Sequence, residues 1–157
     1  MDRTKPSHQV ETFLEMLTVE RGASKNTIES YRRDLSGFQA FCVPRKRSVE
    51  NADSVLIRGY LKKLSSAGMA PSTSARCLST LRQFFRFMHA EGVRDDNPSS
   101  SIDSPRVGRP LPKYLSEDEV EKLLITAEQR RGSEGLRLVA LLEILYATGL
   151  RASELVG

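Results

Sequence analysis

Apolar residues recur at three- and four-residue spacing through most of the chain, which predicts amphipathic helices with one buried stripe each. The first stripe is Val10, Phe13, Leu14 and Leu17, and its helix ends near Gly22. The second follows Ser24, a natural N-cap, and carries Ile28, Tyr31, Leu35, Phe38 and Cys42 until Pro44 stops it. The third runs over residues 53–67 with Val55, Leu56, Tyr60, Leu61 and Leu64, and Gly68 suits its C-terminal end. The fourth begins at Ser72, just after Pro71, carries Ala75, Leu78, Leu81, Phe85 and Met88, and ends at Gly92. No strand alternation competes with these patterns. Four helices with one face each to bury, joined by short connections, predict a four-helix domain over residues 1–92.

The pattern then changes. Residues 94–112 hold Pro98, Pro105, Pro110, Pro112, Gly108 and three consecutive serines, Ser99 to Ser101, with few apolar positions, so residues 93–114 are expected to form an extended linker. A second region, 115–157, opens on a capping box of Ser116 and Glu119, with Leu115 and Val120 placed to form a hydrophobic staple. Its first helix shows Val120, Leu123, Leu124 and Ala127 on one face. The next, residues 136–147, is apolar on nearly every side and is expected to be buried. Thr148-Gly149 breaks it, and residues 150–156 read as the first two turns of a further helix. The expected fold class is all-α: a four-helix domain, a linker, and the first helices of an incomplete second domain.

Composition narrows the function classes. The 157 residues suffice for one ordinary domain or two small ones. The longest apolar run, residues 138–150, is interrupted by Glu143 and is shorter than the ~20 residues of a membrane span, so no membrane partner is expected. Met1-Asp2-Arg3-Thr4-Lys5-Pro6 precedes no apolar stretch, which argues against a secretory signal and for the cytoplasm. Cys42 and Cys77, 35 positions apart, fit reduced, buried thiols, and no metal site is expected. The net charge of +4 hides an uneven distribution: residues 21–90 hold 13 basic against 4 acidic side chains. A concentrated excess of this kind suits a polyanion partner, although charge alone fits a solvated surface as well.

Placement sharpens that choice. On the second helix Lys25, Arg32 and Arg33 lie outside the apolar stripe, with Asn26 and Thr27 at its amino end. On the fourth, Arg76, Arg82 and Arg86 do the same, with Ser72, Thr73, Ser74 and Ser79 interleaved. Basic faces with hydroxyls suit phosphate oxygens and base edges if the helices enter a major groove; they also suit the exposed sides of ordinary amphipathic helices. Arg45-Lys46-Arg47 and Lys62-Lys63 carry no such specificity.

The string Ala147-Thr148-Gly149-Leu150-Arg151-Ala152-Ser153-Glu154-Leu155 resembles the first catalytic box of the tyrosine recombinases, the phage-integrase family, in its Xer-like branch. Lys25-Asn26-Thr27, Tyr31-Arg32-Arg33-Asp34-Leu35, Leu81-Arg82-Gln83-Phe84-Phe85, Asn97-Pro98 and residues 112–119 match in the same order. The resemblance implies a helical core-binding, SAM-like domain linked to a catalytic domain, the two closing around a double-stranded recombination site, with the second and fourth helices facing the major groove. It implies that Lys25, Asn26, Thr27, Arg32, Arg33, Ser72, Arg76, Ser79 and Arg82 contact DNA and that Arg151 is the first catalytic arginine. A guanidinium suits that role because it stays charged and gives two parallel hydrogen bonds to phosphate oxygens. Glu154, one turn on, is expected to orient it.

In the family a tyrosine hydroxyl attacks the phosphodiester, leaving a 3'-phosphotyrosyl link and a free 5'-hydroxyl, with neither metal nor other cofactor. The family's lysine, its His-x-x-Arg box and its tyrosine follow the first arginine, and none is found here: His8 and His89 open no such box, and Tyr31, Tyr60, Tyr114 and Tyr146 all precede Arg151. The resemblance thus implies an amino-terminal fragment of a site-specific recombinase about twice as long, inactive alone in cleaving DNA, acting with a second recombinase protomer in chromosome or plasmid dimer resolution. It also implies exposed apolar surface over residues 138–156, a route to dimerisation. The rival reading is a non-catalytic helical module for DNA or protein binding, which predicts a self-contained second domain.

Overall fold

The computed structural model of the chain describes residues 7–105, 108 and 114–157. Among them there are seven α-helices and no strand: α1 (His8–Val19), α2 (Lys25–Cys42), α3 (Ser54–Ser66), α4 (Pro71–Ala90), α5 (Glu117–Glu128), α6 (Ser133–Thr148) and α7 (Ala152–Val156). They divide into two compact units, Met1–Gly108 and Arg109–Gly157.

Local chemistry sets the helix starts of the first unit. The Ser7 hydroxyl accepts from the Val10 N–H at 3.3 Å, Ser24 from Thr27 at 3.3 Å, and the Asp53 carboxylate from Leu56 at 2.8 Å, so each satisfies an N–H that the helix itself leaves unpaired. Proline opens α4, where its missing N–H costs nothing. The four helices bury Phe13, Leu35, Phe38, Leu78, Leu81, Phe84 and Phe85 in one core. Phe13 meets Phe84 edge-on at 5.6 Å between ring centres. Tyr60 of α3 packs between Phe38 and Phe41, at 5.2 and 5.4 Å. Gly37 permits that approach, since a β-carbon there would stand 2.8 Å from the Tyr60 hydroxyl.

Three expectations need correction. The buried side of α3 is turned away from Val55, which is exposed; Ile57, absent from the expected stripe, joins Tyr60 in the core. Residues 94–105, assigned to the linker, begin as a packed segment. Pro98, Ser99 and Ile102 are buried, Asn97 Oδ1 accepts from the Ser99 N–H and hydroxyl at 3.1 and 2.7 Å, and Arg58 donates to the Ser101 carbonyl at 3.0 Å. Ile102 inserts into the core, and with Arg58 and Arg82 bonding the backbone beside it, it docks a serine- and proline-rich stretch. The third correction concerns α6, expected to be buried. Its Leu136 is 76% exposed and Tyr146 61%, and only Gly135 is fully buried, because α5 and α7 cover just one side of a helix that is apolar nearly all round.

In the second unit the capping box forms as expected: the Ser116 hydroxyl accepts from the Glu119 N–H at 3.3 Å, and Glu119 accepts from the Ser116 N–H at 2.8 Å. Leu115 and Val120 line one apolar cleft with Leu123, Leu124, Leu142, Leu145 and Tyr146. No helix of the described residues is long and apolar enough to cross a membrane.

Candidate nucleic-acid interface

Helix α4 presents Ser72, Arg76, Ser79, Gln83, Arg86 and Ala90 at alternating spacings of four and three, which places them on one side, opposite Leu78, Leu81 and Phe85. All but the half-buried Gln83 are exposed. On α2, Lys25, Asn26, Arg32 and Arg33 are exposed and Thr27 is half-buried. Two direct contacts join these polar sides: Arg76 Nη1 donates to the Ser30 hydroxyl at 2.8 Å, and Gln83 Nε2 donates to the Tyr31 hydroxyl at 2.5 Å.

The cations fall into two groups. Lys25, Arg33 and Arg86 have no hydrogen bond or ion pair with the described residues, and Arg21 shares a cleft with Ser79, Arg82 and Arg86. These are the side chains left to meet an external anion. Arg32, Arg76 and Arg82 are engaged within the unit. Arg32 pairs with Glu11 of α1, which holds its guanidinium pKa above the ordinary value through that hydrogen bond. Arg82 donates to the Ile102 carbonyl and to the Ser104 hydroxyl, the latter at 2.8 Å, and so ties down the segment that follows α4. Arg76 pairs with Asp34 at 2.5 Å.

Asp34 is the residue that the apolar pattern concealed. Its side chain is 3% exposed, inside the α2–α4 contact, and it accepts from Arg76 Nη1, from the Thr80 hydroxyl at 2.8 Å and from the Cys77 thiol at 3.2 Å. A buried carboxylate is tolerable only when donors surround it in this way. The available signal was its position: three residues after Tyr31 and four before Phe38, Asp34 falls on the apolar stripe, where a charge demands a partner.

In the second unit, Gly149 closes α6 in the left-handed conformation, with φ of 66°, and its N–H bonds to the Leu145 carbonyl at 2.9 Å. Arg151 follows in extended backbone and its side chain is 81% exposed. Glu154 accepts from the Arg151 N–H at 2.8 Å and from Arg151 Nη1 at 2.9 Å. Those two bonds hold the Glu154 carboxyl below the usual carboxylate range, the backbone one more strongly. Arg151 and Glu154 are therefore in contact, as their one-turn spacing predicts, while the Arg151 Nη2 and Nε groups are without a hydrogen-bond partner among the described residues.

Both cysteines are free and buried. Burial pushes the Cys42 thiol up to about 11 and, together with its hydrogen bond to Asp34, the Cys77 thiol up to about 12. Neither is a nucleophile near neutral pH. Among the described residues no group of His, Cys, Asp and Glu side chains is arranged to hold a metal ion.

A four-helix unit with a basic, hydroxyl-bearing side on its second and fourth helices defines the class, an all-α domain. Residues 10–92 match the description "Phage integrase, N-terminal SAM-like domain", and the chain belongs to the phage integrase family. It is similar over nearly its whole length to proteins named tyrosine recombinase XerD: 43% identical to that of Caulobacter vibrioides over 94% of the chain and 48% of the relative, and 46% identical to that of Rhizobium meliloti over 94% and 50%. It is 45% identical to the tyrosine recombinase XerC of Erythrobacter litoralis over 98% of the chain and 49% of the relative. The chain spans about half the length of the curated relatives it matches.

Proposed function

We propose that this chain provides the DNA-gripping first domain and the first catalytic arginine of a cytoplasmic site-specific tyrosine recombinase, which acts on a double-stranded recombination site with a second recombinase protomer. The observation that carries this reading is the division of the cations. Lys25, Arg33 and Arg86 stand exposed and unpaired among the described residues, on the outward sides of the two helices that Arg76 and Gln83 join. Unpaired cations on a rigid support suit phosphates, whose contacts set affinity and register. Arg82 and Arg32 are better read as holding α1, α4 and the following segment in place than as phosphate contacts.

Arg151 supports the catalytic part of the reading. Glu154 holds it through Nη1, leaving the Nε–Nη2 edge, which can give two parallel hydrogen bonds to phosphate oxygens as charge develops on a scissile phosphate. The exposed side of α6 disfavours the rival reading, which requires a self-contained second unit.

Charge reversal tests the interface. With a fluorescein-labelled 30-base-pair duplex, Lys25→Glu combined with Arg33→Glu is expected to weaken anisotropy-detected binding at least tenfold. Arg137→Glu, on the second unit, is expected to cost less than threefold. Equal losses from the two proteins would remove the assignment to the first unit.

A further inference from the structure

Arg76 differs from every other cation on the polar side of α4: both hydrogens of its Nη1 are directed inward, one to Asp34 at 2.5 Å and one to the Ser30 hydroxyl at 2.8 Å. A guanidinium carries five N–H donors. The three on Nε and Nη2 have no partner among the described residues, and the side chain remains 41% exposed. Nε–H and one Nη2–H lie parallel on the edge away from Nη1. That edge is a fixed pair of donors, held by α2 through Ser30 and by a carboxylate that Thr80 and Cys77 in turn hold.

We propose that Arg76 is a base-reading residue which gives its Nε–Nη2 edge to the N7 and O6 acceptors of one guanine in the major groove, and that Asp34 is the positioning residue that makes it so. The inference rests on the DNA-gripping reading above. Two physical arguments favour guanine over phosphate as the occupant. Asp34 is buried and therefore unscreened, so it offsets the charge of Arg76 far more than the exposed Glu154 offsets that of Arg151; this weakens attraction to a phosphate but leaves the hydrogen-bond geometry intact for a neutral base edge. Orientation is the second. Phosphate contacts tolerate mobile side chains such as Lys25 and Arg86, whereas discrimination of one base depends on donors whose direction is set before binding. Ser72 and Ser79, one turn to either side on the same stripe, extend the row of groups able to reach base edges.

The test uses the full chain and a library of duplexes with 20 randomised base pairs, with the retained DNA sequenced. Wild-type protein is expected to enrich guanine at a defined position, and Arg76→Ala to lose that preference alone, with other enriched positions unchanged. On the duplex that wild type selects, Arg76→Ala is expected to weaken binding roughly 5- to 150-fold, and much less once that guanine is replaced. The slope of affinity against salt is expected to stay as in wild type. Asp34→Asn is expected to blur the same position, and the double variant to match Arg76→Ala, since Asp34 acts through Arg76; a purely structural Asp34 gives additive, sequence-blind losses. Arg76→Lys keeps a cation beside the buried Asp34 while removing the Nε–Nη2 edge, so it stays informative where Arg76→Ala or Asp34→Asn fails to fold, and it is expected to lose the same guanine preference. A uniform loss over all sequences with a shallower salt slope identifies a phosphate contact and overturns the proposal, as does unchanged enrichment in Arg76→Ala. Absence of duplex binding by the wild-type chain overturns the DNA-gripping reading and this inference together.

Discussion

Asp34 gathers three donors from α4 into the interior, and its effects extend to the groups around it. Burial, with the Asp34 hydrogen bond adding to it, pushes the Cys77 thiol up to about 12; burial, with a smaller part from Asp34, pushes Tyr60 up to about 12, and burial without Asp34 pushes Cys42 up to about 11. Unfolded thiols ionise near 8.5 and tyrosine near 10, so folding holds these three groups neutral beyond their ordinary range. Their contribution to stability is complete below about pH 8.5 and is lost as the pH rises toward 11 to 12. Thermal unfolding is expected to give a Tm that is level from pH 7 to about 8.5 and then falls steadily; a Tm unchanged up to pH 11 contradicts the burial of these groups. The thiols were legible in the sequence as buried and unpaired. Asp34 was legible only as a charge on the apolar stripe that needs a partner; which groups meet it depends on Arg76, Cys77 and Thr80, more than forty residues away.

Among the elements, the helices themselves were the most legible, since Ser24, Ser116 and the three- and four-residue stripes act locally. The phase of α3 was harder to read. Val55 and Ile57 are both apolar, and the sequence does not say which faces the core; in the fold, Tyr60 packs against Phe38 and Phe41, Ile57 is buried and Val55 is exposed. The segment after α4 was harder still, because its composition reads as linker while its structure is set by one isoleucine and by Arg82 and Arg58 reaching it from helices. Arg82→Ala removes the bonds to the Ile102 carbonyl and the Ser104 hydroxyl. Amide hydrogen exchange at residues 99–104 is then expected to quicken about tenfold, in keeping with the loss of one or two hydrogen bonds of roughly 1 kcal/mol each, while exchange in α2 stays as in wild type. Unaltered exchange over 99–104 would leave Arg82 available for DNA instead.

For the whole molecule, the uneven charge and the exposed apolar side of α6 have different explanations. The charge belongs to the first unit, whose core is complete: Phe13, Phe38, Phe84 and Phe85 are fully enclosed. The second unit presents a cleft of leucines and a paired, outward arginine, and its two long helices cover each other on one side only. Apolar composition alone reads α6 as buried, because it states what a helix prefers and not what covers it, whereas the exposed apolar surface that the resemblance implied over residues 138–156 is present at Ile144, Tyr146, Leu150 and Val156. The central claim, that the first unit binds duplex DNA through unpaired cations, is tested most directly by the dissociation constant of the chain for a duplex across 50 to 300 mM salt. Contacts by Lys25, Arg33 and Arg86, with Arg21 beside them, predict that the logarithm of affinity falls against the logarithm of salt with a slope of about −3. Binding that ignores salt, or no binding at 50 mM, would contradict it.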